Sequence, residues 1–98
     1  MRAIKVTLKA ENEIRQASLW WELHRTTAHP SFQAELKKAF LLIAAHPFIG
    51  TKAANTRLTG VRRLVLTKTG YQLFYRVVGD TVQVLSFWHE RQGAGPGL

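Results

Sequence analysis

Three short runs rich in β-branched and aromatic residues fill the stretch Val61–Arg91, which reads VRRLVLTKTGYQLFYRVVGDTVQVLSFWHER. The turn-forming sequences KTG and GD separate the runs. This pattern predicts an antiparallel meander of three strands. Pairing of Thr67 with Gly70, and of Val78 with Thr81, would fix the register of both hairpins.

In that register the side chains divide between two faces of the meander. One face is almost wholly apolar and should pack against another layer. Its members are Leu64, Leu66, Tyr71, Leu73, Tyr75, Val77, Val82, Val84 and Trp88, with Ser86 among them. The other face, called here the mixed face, carries Arg63, Val65, Gln72, Phe74, Arg76, Val78, Gln83, Leu85, Phe87 and His89. A sheet needs only one buried face, so the mixed face is the leading candidate for a partner-binding surface.

Composition limits the class of protein. Ninety-eight residues with an ordinary apolar share suffice for one domain with a modest core. The net charge of +8 favours an anionic partner, either nucleic acid or an acidic protein segment. No stretch approaches the roughly 20 apolar residues of a membrane span. The N-terminal sequence has no signal-peptide core, so export is not expected. The absence of cysteine excludes disulfides and fits a reducing cytoplasm.

A strand and two helices are predicted before the meander. Residues 4–8 alternate as in a strand with one buried face. Helices are expected over about 11–24 and 31–45, the second ended by Pro47. Their apolar stripes comprise Ala10, Ile14, Ala17 and Trp21 in the first, and Phe32, Leu36, Ala39, Phe40 and Ile43 in the second. The predicted fold is therefore a two-layer α+β domain, β-α-α-β-β-β, with a helical hairpin on one face of an antiparallel sheet.

Four apolar residues fall outside those stripes. Leu19, Leu23 and Leu41 point away from the core positions of their helices, and Trp20 lies between the two faces of its helix. An exposed apolar patch of this kind is typical of a partner site. Downstream, 52–60 is a polar connection, and the Gly-rich tail 92–98 is predicted to be flexible.

Several local patterns, in this order, resemble the RelE/ParE superfamily of toxins from bacterial toxin–antitoxin systems. They are KAENEI and ASLWW in the first helix, FQAELKKA in the second, the following HPFIG, and then Val61–Arg62, GYQLFYRV and the ending WHER. The resemblance covers about residues 3–91, so residues 1–91 are expected to form a single toxin domain. The WHER ending is more similar to ParE-like members.

The resemblance implies a small cytoplasmic toxin that a cognate antitoxin binds and neutralises. ParE-like members bind DNA gyrase, whereas RelE-like members cleave mRNA on the ribosome. The leading hypothesis is a ParE-like toxin, with a RelE-like endoribonuclease as the alternative. A third hypothesis is a non-toxic basic domain that binds nucleic acid, with Phe74 and Phe87 as stacking platforms. No cofactor or membrane partner is expected.

The candidate site residues follow from these hypotheses. Metal-free RNA cleavage needs a base, an acid and cations at the scissile phosphate, for which the chain offers Arg63, Arg76, His89 and Arg91. The target-binding candidates are Arg63, Phe74, Arg76, Phe87, His89 and Arg91. The antitoxin-binding candidates are Leu19, Trp20, Leu23 and Leu41. His24, His29 and His46 have no metal-ligand spacing, so no metal site is expected.

Two departures from the RelE-like pattern weigh against the nuclease. Thr67 stands where RelE-like nucleases often place a catalytic arginine, and no Tyr, Lys or His follows Arg91. In the predicted register His89 lies roughly 13 Å from Arg63, at about 3.4 Å per residue. His89 also has a structural alternative, in which it hydrogen-bonds a backbone group at the sheet edge. Arg62 is expected to anchor the connecting loop by a salt bridge.

Overall fold

Two helices pack on one face of a five-stranded mixed sheet. The computed structural model describes residues 1–54, 56–93 and 95–98. In chain order the elements are β1 (Ala3–Val6), α1 (Leu8–His24), a 3-10 turn (Thr26–Ala28), α2 (His29–Ala45), β2 (Thr51–Lys52), β3 (Arg62–Leu66), β4 (Tyr71–Val78) and β5 (Thr81–His89). The predicted two-layer α+β architecture is confirmed. Asn55, in the predicted connection 52–60, and Ala94, in the predicted tail 92–98, lie outside the described residues.

The sheet differs from the prediction at both edges. Its order is β1-β5-β4-β3-β2, and β1 runs parallel to β5, from Ala3 opposite Thr81 to Val6 opposite Val84. The predicted antiparallel pairing therefore holds from β2 to β5, but not for β1. The two-residue strand β2, which pairs with β3, was also not predicted. No local pattern specifies which edge of the meander receives β1, because the helical hairpin in between carries the chain across the sheet.

Both helices begin earlier than the sequence predicts. The Thr7 hydroxyl accepts the Ala10 N–H at 3.2 Å and caps α1, so Leu8 opens the helix instead of ending the strand. Pro30 lies in the first turn of α2, where its missing N–H costs nothing. Both predicted stripes face the sheet, with Ala10, Ala17, Phe32, Ala39 and Ile43 buried and their remaining members packed beside them. No described helix is both long and apolar enough to cross a bilayer.

A β-bulge in β5 changes the predicted register. Strands β4 and β5 pair as predicted from Val78 opposite Thr81 as far as Tyr75 opposite Val84. The next pair is Phe74 with Ser86, so Leu85 is an extra residue on β5. Because side chains alternate along a strand, one extra residue moves every later side chain to the opposite face.

The last three residues of β5 therefore lie on the faces opposite to those predicted. Phe87 packs in the main core, where its ring stacks on Tyr71 at 4.5 Å. His89 meets the same tyrosine edge to face at 4.8 Å. Trp88 instead packs with Phe74 and the outer cluster. The placement of Phe87 and His89 on the mixed face was wrong.

Glu13 on α1 holds the bulge. One of its carboxylate oxygens accepts hydrogen bonds from the Ser86 hydroxyl at 2.7 Å and from the Phe87 N–H at 3.2 Å. The other accepts from Lys9 Nζ at 2.8 Å. Ser86 is completely buried. Since β1 accompanies β5 only as far as Val84, this carboxylate replaces a neighbouring strand as the acceptor along the edge of β5.

The mixed face is partly covered. Phe74, Val61 and Leu85 are buried in a second cluster, against which Ala53, Leu58, Trp88 and Leu98 pack. The Ala53 N–H donates to the Val61 carbonyl, and the Arg57 N–H donates to the Leu98 carbonyl. Phe74 is only 6% exposed, so the proposal that it contacts a target or stacks on a base was wrong. The flexibility of the tail 92–98 stays a prediction.

Candidate functional site

A cleft of about 740 Å³ opens between the second half of α1, the β3–β4 turn and the end of β5. Its lining comes from three segments that are distant in the sequence: Glu13, Gln16, Ala17, Trp20, Trp21 and Arg25 from α1 and its end, residues 67–71 from the turn, and residues 87–92 from β5 and beyond. Its volume falls within the roughly 300–1,000 Å³ typical of ligand sites.

Three cations border the cleft. Arg25 follows the last turn of α1, and its backbone N–H donates to the Trp21 carbonyl. Arg91 follows β5, and Lys68 lies at the tip of the β3–β4 turn. All three residues are exposed. Two acidic residues line the cleft, Glu13 and Glu90. The carboxylate of Glu13 already accepts hydrogen bonds from three donors.

Glu35 on α2 fixes the turn that carries Lys68. One carboxylate oxygen accepts the Lys68 N–H at 2.9 Å, and the other accepts the Thr69 hydroxyl at 2.6 Å. Gly70 ends the turn with a positive φ of 84°, which favours glycine. A Cβ at this position would come within 2.9 Å of His89 Nε2. The turn, α2 and His89 are therefore packed as one unit.

Aromatic side chains form the inner wall of the cleft. The indole N–H of Trp21 donates to the Tyr71 hydroxyl at 3.2 Å, and its ring stacks on Phe32. Burial raises the pKa of Tyr71 above its usual value of 10.0, which the bond from Trp21 partly opposes. Trp20 lies further out and stacks on His24 at 5.0 Å.

The backbone occupies both ring nitrogens of His89. Nε2 lies 3.0 Å from the Thr69 carbonyl oxygen, and Nδ1 lies 3.1 Å from the Arg91 amide nitrogen. A carbonyl can only accept and an amide N–H can only donate, so the ring is the neutral tautomer with its proton on Nε2. This geometry favours the structural role of His89, in which it hydrogen-bonds the backbone at the sheet edge, because neither ring nitrogen is left to exchange a proton with a substrate.

The four candidate nuclease residues do not form one group. Arg63 and Arg76 lie on the outer face, where Arg76 Nε donates to Gln83 Oε1 at 2.8 Å. His89 and Arg91 line the cleft on the helical side. The target-binding candidates divide in the same way, and Phe87, at 2% exposure, offers no free surface. The stacking role suggested for Phe87 was therefore wrong.

Two of the three cleft cations, Arg25 and Lys68, were not predicted from the sequence. Each is a polar residue at the end of an element, which carries no distinctive local signal. Their proximity depends on α1 reaching the β3–β4 turn, a long-range contact that includes the bond between Trp21 and Tyr71. Arg62 does anchor its loop, but through the Phe48 and Gly50 carbonyls instead of the expected salt bridge.

The four antitoxin-binding candidates are exposed but do not form one patch. Leu19, Trp20 and Leu23 lie close together on α1 and are 53%, 45% and 66% exposed. Leu41 is 51% exposed near the other end of α2. In an antiparallel hairpin it lies about 10–16 Å along the axis from the two α1 leucines, at about 1.5 Å per residue. A single partner would have to run along the hairpin to reach all four.

Two of the three histidines outside the cleft have hydrogen-bond partners within the fold. His24 Nδ1 lies 3.1 Å from the Trp20 carbonyl, and His29 Nε2 lies 3.0 Å from the Ser18 hydroxyl. Within 1–54, 56–93 and 95–98, no three His, Asp or Glu side chains are grouped so that they could hold a metal ion.

The family model for the ParE toxin of the type II toxin–antitoxin system parDE matches residues 4–93. The chain belongs to the ParE toxin family. It is therefore a toxin of a type II toxin–antitoxin system, within the RelE/ParE superfamily to which the sequence motifs pointed. A search of curated protein sequences finds no significant match.

Solved structures share the fold of this ParE-family chain at low sequence identity. The chromosomal ParDE system from P. aeruginosa superposes with a TM-score of 0.71 and 20% identity, covering 91% of this chain and 96% of that one. The E. coli RelBE complex gives a TM-score of 0.64 and 20% identity, covering 94% and 100%. The E. coli DinJ–YafQ complex gives 0.66 and 12%, covering 97% and 100%. The fold is thus common to ParE-type and RelE-type toxins and does not identify the target.

Proposed function

We propose that this toxin acts by binding DNA gyrase and not by cutting RNA. The observation that carries the proposal is the state of His89, whose two ring nitrogens are both bonded to the backbone. Membership of the ParE family supports the same target class.

The surroundings of His89 support a binding role as well. RNA cleavage requires a base and an acid within hydrogen-bonding reach of the reacting oxygens, together with cations at the phosphate. The cleft supplies cations, but the hydroxyl of Tyr71 is engaged by Trp21 and has a raised pKa. Thr67 lies in the turn beside the cleft, where it contributes no charge.

The target surface is proposed to be the cleft. Arg25, Lys68 and Arg91 are exposed there, around an aromatic wall, whereas the opposite face of the sheet is partly covered. Cations at the border of an interface steer an acidic partner and select against basic ones. Arg63 and Arg76, on the other face, are given no role in target binding by this proposal.

Supercoiling by purified gyrase tests the proposal directly. The toxin is expected to inhibit supercoiling of relaxed plasmid, and Arg25→Glu or Arg91→Glu should raise the inhibitory concentration about tenfold or more. Arg57→Glu makes the same charge change at an exposed position outside the cleft, so it should inhibit like the parent protein. Full supercoiling at saturating toxin would refute gyrase as the target. Equal losses of inhibition in Arg25→Glu, Arg91→Glu and Arg57→Glu would refute the cleft as the binding surface.

A cognate antitoxin is the second proposed partner. The E. coli RelBE and DinJ–YafQ structures are of toxin–antitoxin complexes. In this chain the exposed Leu19, Trp20 and Leu23 give α1 an apolar surface facing away from the core. An antitoxin laid along the helical hairpin would cover these residues and, if it extends far enough, Leu41. The net charge of +8 suits an acidic antitoxin segment.

A further inference from the structure

Two of the cleft cations are connected to each other through His89. The Arg91 backbone N–H donates to Nδ1 of the ring at 3.1 Å, and Nε2 donates to the carbonyl of Thr69, the residue after Lys68 in the β3–β4 turn. Glu35 of α2 holds the same turn through the Lys68 N–H and the Thr69 hydroxyl. The positions of Lys68 and Arg91 thus depend on one line of hydrogen bonds that runs from α2 to the end of β5.

His89 also organises the short segment that carries Arg91. Its carbonyl accepts the Gln92 N–H at 3.0 Å, and its backbone N–H donates to the side-chain oxygen of Gln92 at 2.7 Å. One residue earlier, the Glu90 N–H still donates to the Gly70 carbonyl of the turn. The bond to Nδ1 is therefore the one that holds the amide of Arg91 itself.

The two ring nitrogens of His89 respond differently to a second proton. Nε2 is a donor in both the neutral and the protonated ring, so its bond to the Thr69 carbonyl survives proton uptake. Nδ1 accepts only while the ring is neutral. Once protonated, it is a donor that faces another donor, the Arg91 N–H. Proton uptake therefore breaks the bond to Arg91 and leaves the bond to the turn in place.

Charged and titratable groups lie around the ring on every element beside it. They are Tyr71 on β4, Lys68 in the turn, Glu35 on α2, Glu13 and Arg25 on and after α1, and Glu90 and Arg91 after β5. Both signs of charge are present, and none of these side chains is hydrogen-bonded to the ring. Tyr71 stays neutral at physiological pH because burial raises its pKa above 10.0. The ring contact that responds to a proton is thus the backbone N–H of Arg91.

We propose that neutral His89 is a positioning residue for target binding: it holds Arg91 at the cleft, and proton uptake by its ring at acidic pH releases Arg91 and weakens binding. The held arrangement is present at neutral and alkaline pH and is lost as the pH falls. The inference rests on the proposed function in taking the cleft as the target surface. It adds that pH regulates this surface, and that His89 acts through Arg91 without touching the target's reacting groups.

NMR titration of the free toxin tests this regulation without any target. At about pH 8 the ring should carry its proton on Nε2, and as the pH falls to about 5.5 the Arg91 amide signal should move together with the ring signals. The Lys68 amide is the control, because its acceptor is the Glu35 carboxylate and not the histidine ring. A proton on Nδ1 at neutral pH, or an Arg91 amide that does not follow the ring, would overturn the inference.

Affinity for immobilised gyrase at about pH 8 and about pH 6 tests the effect on binding. The parent toxin is expected to lose about three- to tenfold on acidification, up to the loss expected from Arg91→Glu. In His89→Asn, Oδ1 lies as many bonds from Cβ as Nδ1 does, so it can accept the Arg91 N–H but takes up no proton. The affinity of this variant should therefore change little with pH. His46→Gln replaces an exposed histidine outside the cleft and should keep the parent's loss.

The ratio of the two affinities separates positioning from a merely structural role. A structural histidine would change the stability of His89→Asn, measured by urea unfolding, without changing that ratio. An equal ratio in the parent and in His89→Asn, or a parent affinity that does not fall, would overturn the inference. Gyrase that binds at neither pH refutes the proposed target, and the NMR titration then decides the inference by itself.

Discussion

At the scale of single residues, Gly50 and Tyr75 depend on each other. The Gly50 N–H donates to the buried Tyr75 hydroxyl at 2.8 Å, and a Cβ on Gly50 would lie 2.7 Å from that oxygen and 2.9 Å from the Arg63 carbonyl. The close approach of backbone and phenol requires glycine here. In the motif HPFIG, Pro47 ends the helix as predicted, and Gly50 also holds the loop before β2 through this contact.

Tyr75→Phe is therefore expected to destabilise the protein. It leaves the Gly50 N–H buried without its acceptor, which typically costs about 1–3 kcal/mol in free energy of unfolding. Urea denaturation followed by far-UV circular dichroism measures the loss. Thr59→Val, which removes an exposed hydroxyl, is the control and should stay within about 0.5 kcal/mol of the parent. A Tyr75→Phe protein as stable as the control would contradict this role for the hydroxyl.

Alkaline pH should destabilise the fold through the buried tyrosines. Burial raises the pKa of both Tyr71 and Tyr75 above 10.0; the Gly50 N–H and the charge on Arg62 partly oppose this for Tyr75. Between the unfolded and folded pKa values the folded state binds more protons, so its stability is complete below about pH 10 and falls as pH rises further.

Urea unfolding at a series of pH values from 8 to 11 checks this dependence. Other groups also titrate in this range, so the informative comparison is with Tyr71→Phe, in which the decline above about pH 10 should be shallower. An identical slope in the parent and Tyr71→Phe would show that the Tyr71 hydroxyl does not contribute.

At the scale of elements, the bulge in β5 decides which side chains face the cleft. Without the extra residue Leu85, Phe87 and His89 would turn to the outer face and Trp88 would turn inward. Glu13 binds both Ser86 and Phe87 immediately after the bulge, so α1 selects this register.

Glu13→Ala should lower stability and loosen the end of β5. The Phe87 N–H and the buried Ser86 hydroxyl lose their acceptor, at about 1–3 kcal/mol for each group left unpaired. Glu13→Gln keeps an acceptor oxygen and should lose less. Glu22→Ala, an exposed position on the same helix, is the control. Amide hydrogen exchange should accelerate at residues 86–89 in Glu13→Ala alone, and unchanged protection there would contradict the role of Glu13.

The bulge also marks the limit of what the sequence could predict. The helical stripes, and the meander strands β3, β4 and β5 as far as Val84, follow from local periodicity and lie where the pattern placed them, whereas the pairing of β1 and the strand β2 do not. The register beyond Leu85 depends on a hydrogen bond between Glu13 and Ser86, which are 73 residues apart. The site was only half predicted for the same reason: His89 and Arg91 were identified, but Arg25 and Lys68 join them only through tertiary packing.

At the scale of the whole molecule, two surfaces are free to bind partners. The helical hairpin carries exposed leucines, and the cleft carries cations. Leu19→Glu and Leu23→Glu should each weaken the antitoxin complex, because they place a charge within an apolar contact, and they should leave the isolated fold intact because both side chains are exposed. Isothermal titration calorimetry with purified antitoxin measures the affinity.

Leu41→Glu extends that test to the far end of the hairpin. It introduces the same charge at a comparably exposed leucine on α2. Weakened binding in all three variants would indicate an antitoxin that spans the hairpin, and weakened binding in the α1 variants alone would place it at one end. Unchanged affinity in the Leu19 and Leu23 variants would contradict the assignment of this surface.

Under the proposed function, toxicity comes from binding and not from RNA cleavage. The most direct test is to map mRNA 5′ ends across the transcriptome in cells that express the toxin without antitoxin. Growth arrest with mRNA left intact is expected, because neither ring nitrogen of His89 is free and Arg91 lies on the opposite side of the sheet from Arg63 and Arg76. Cuts within translated codons that disappear in Arg91→Ala or His89→Ala would contradict it.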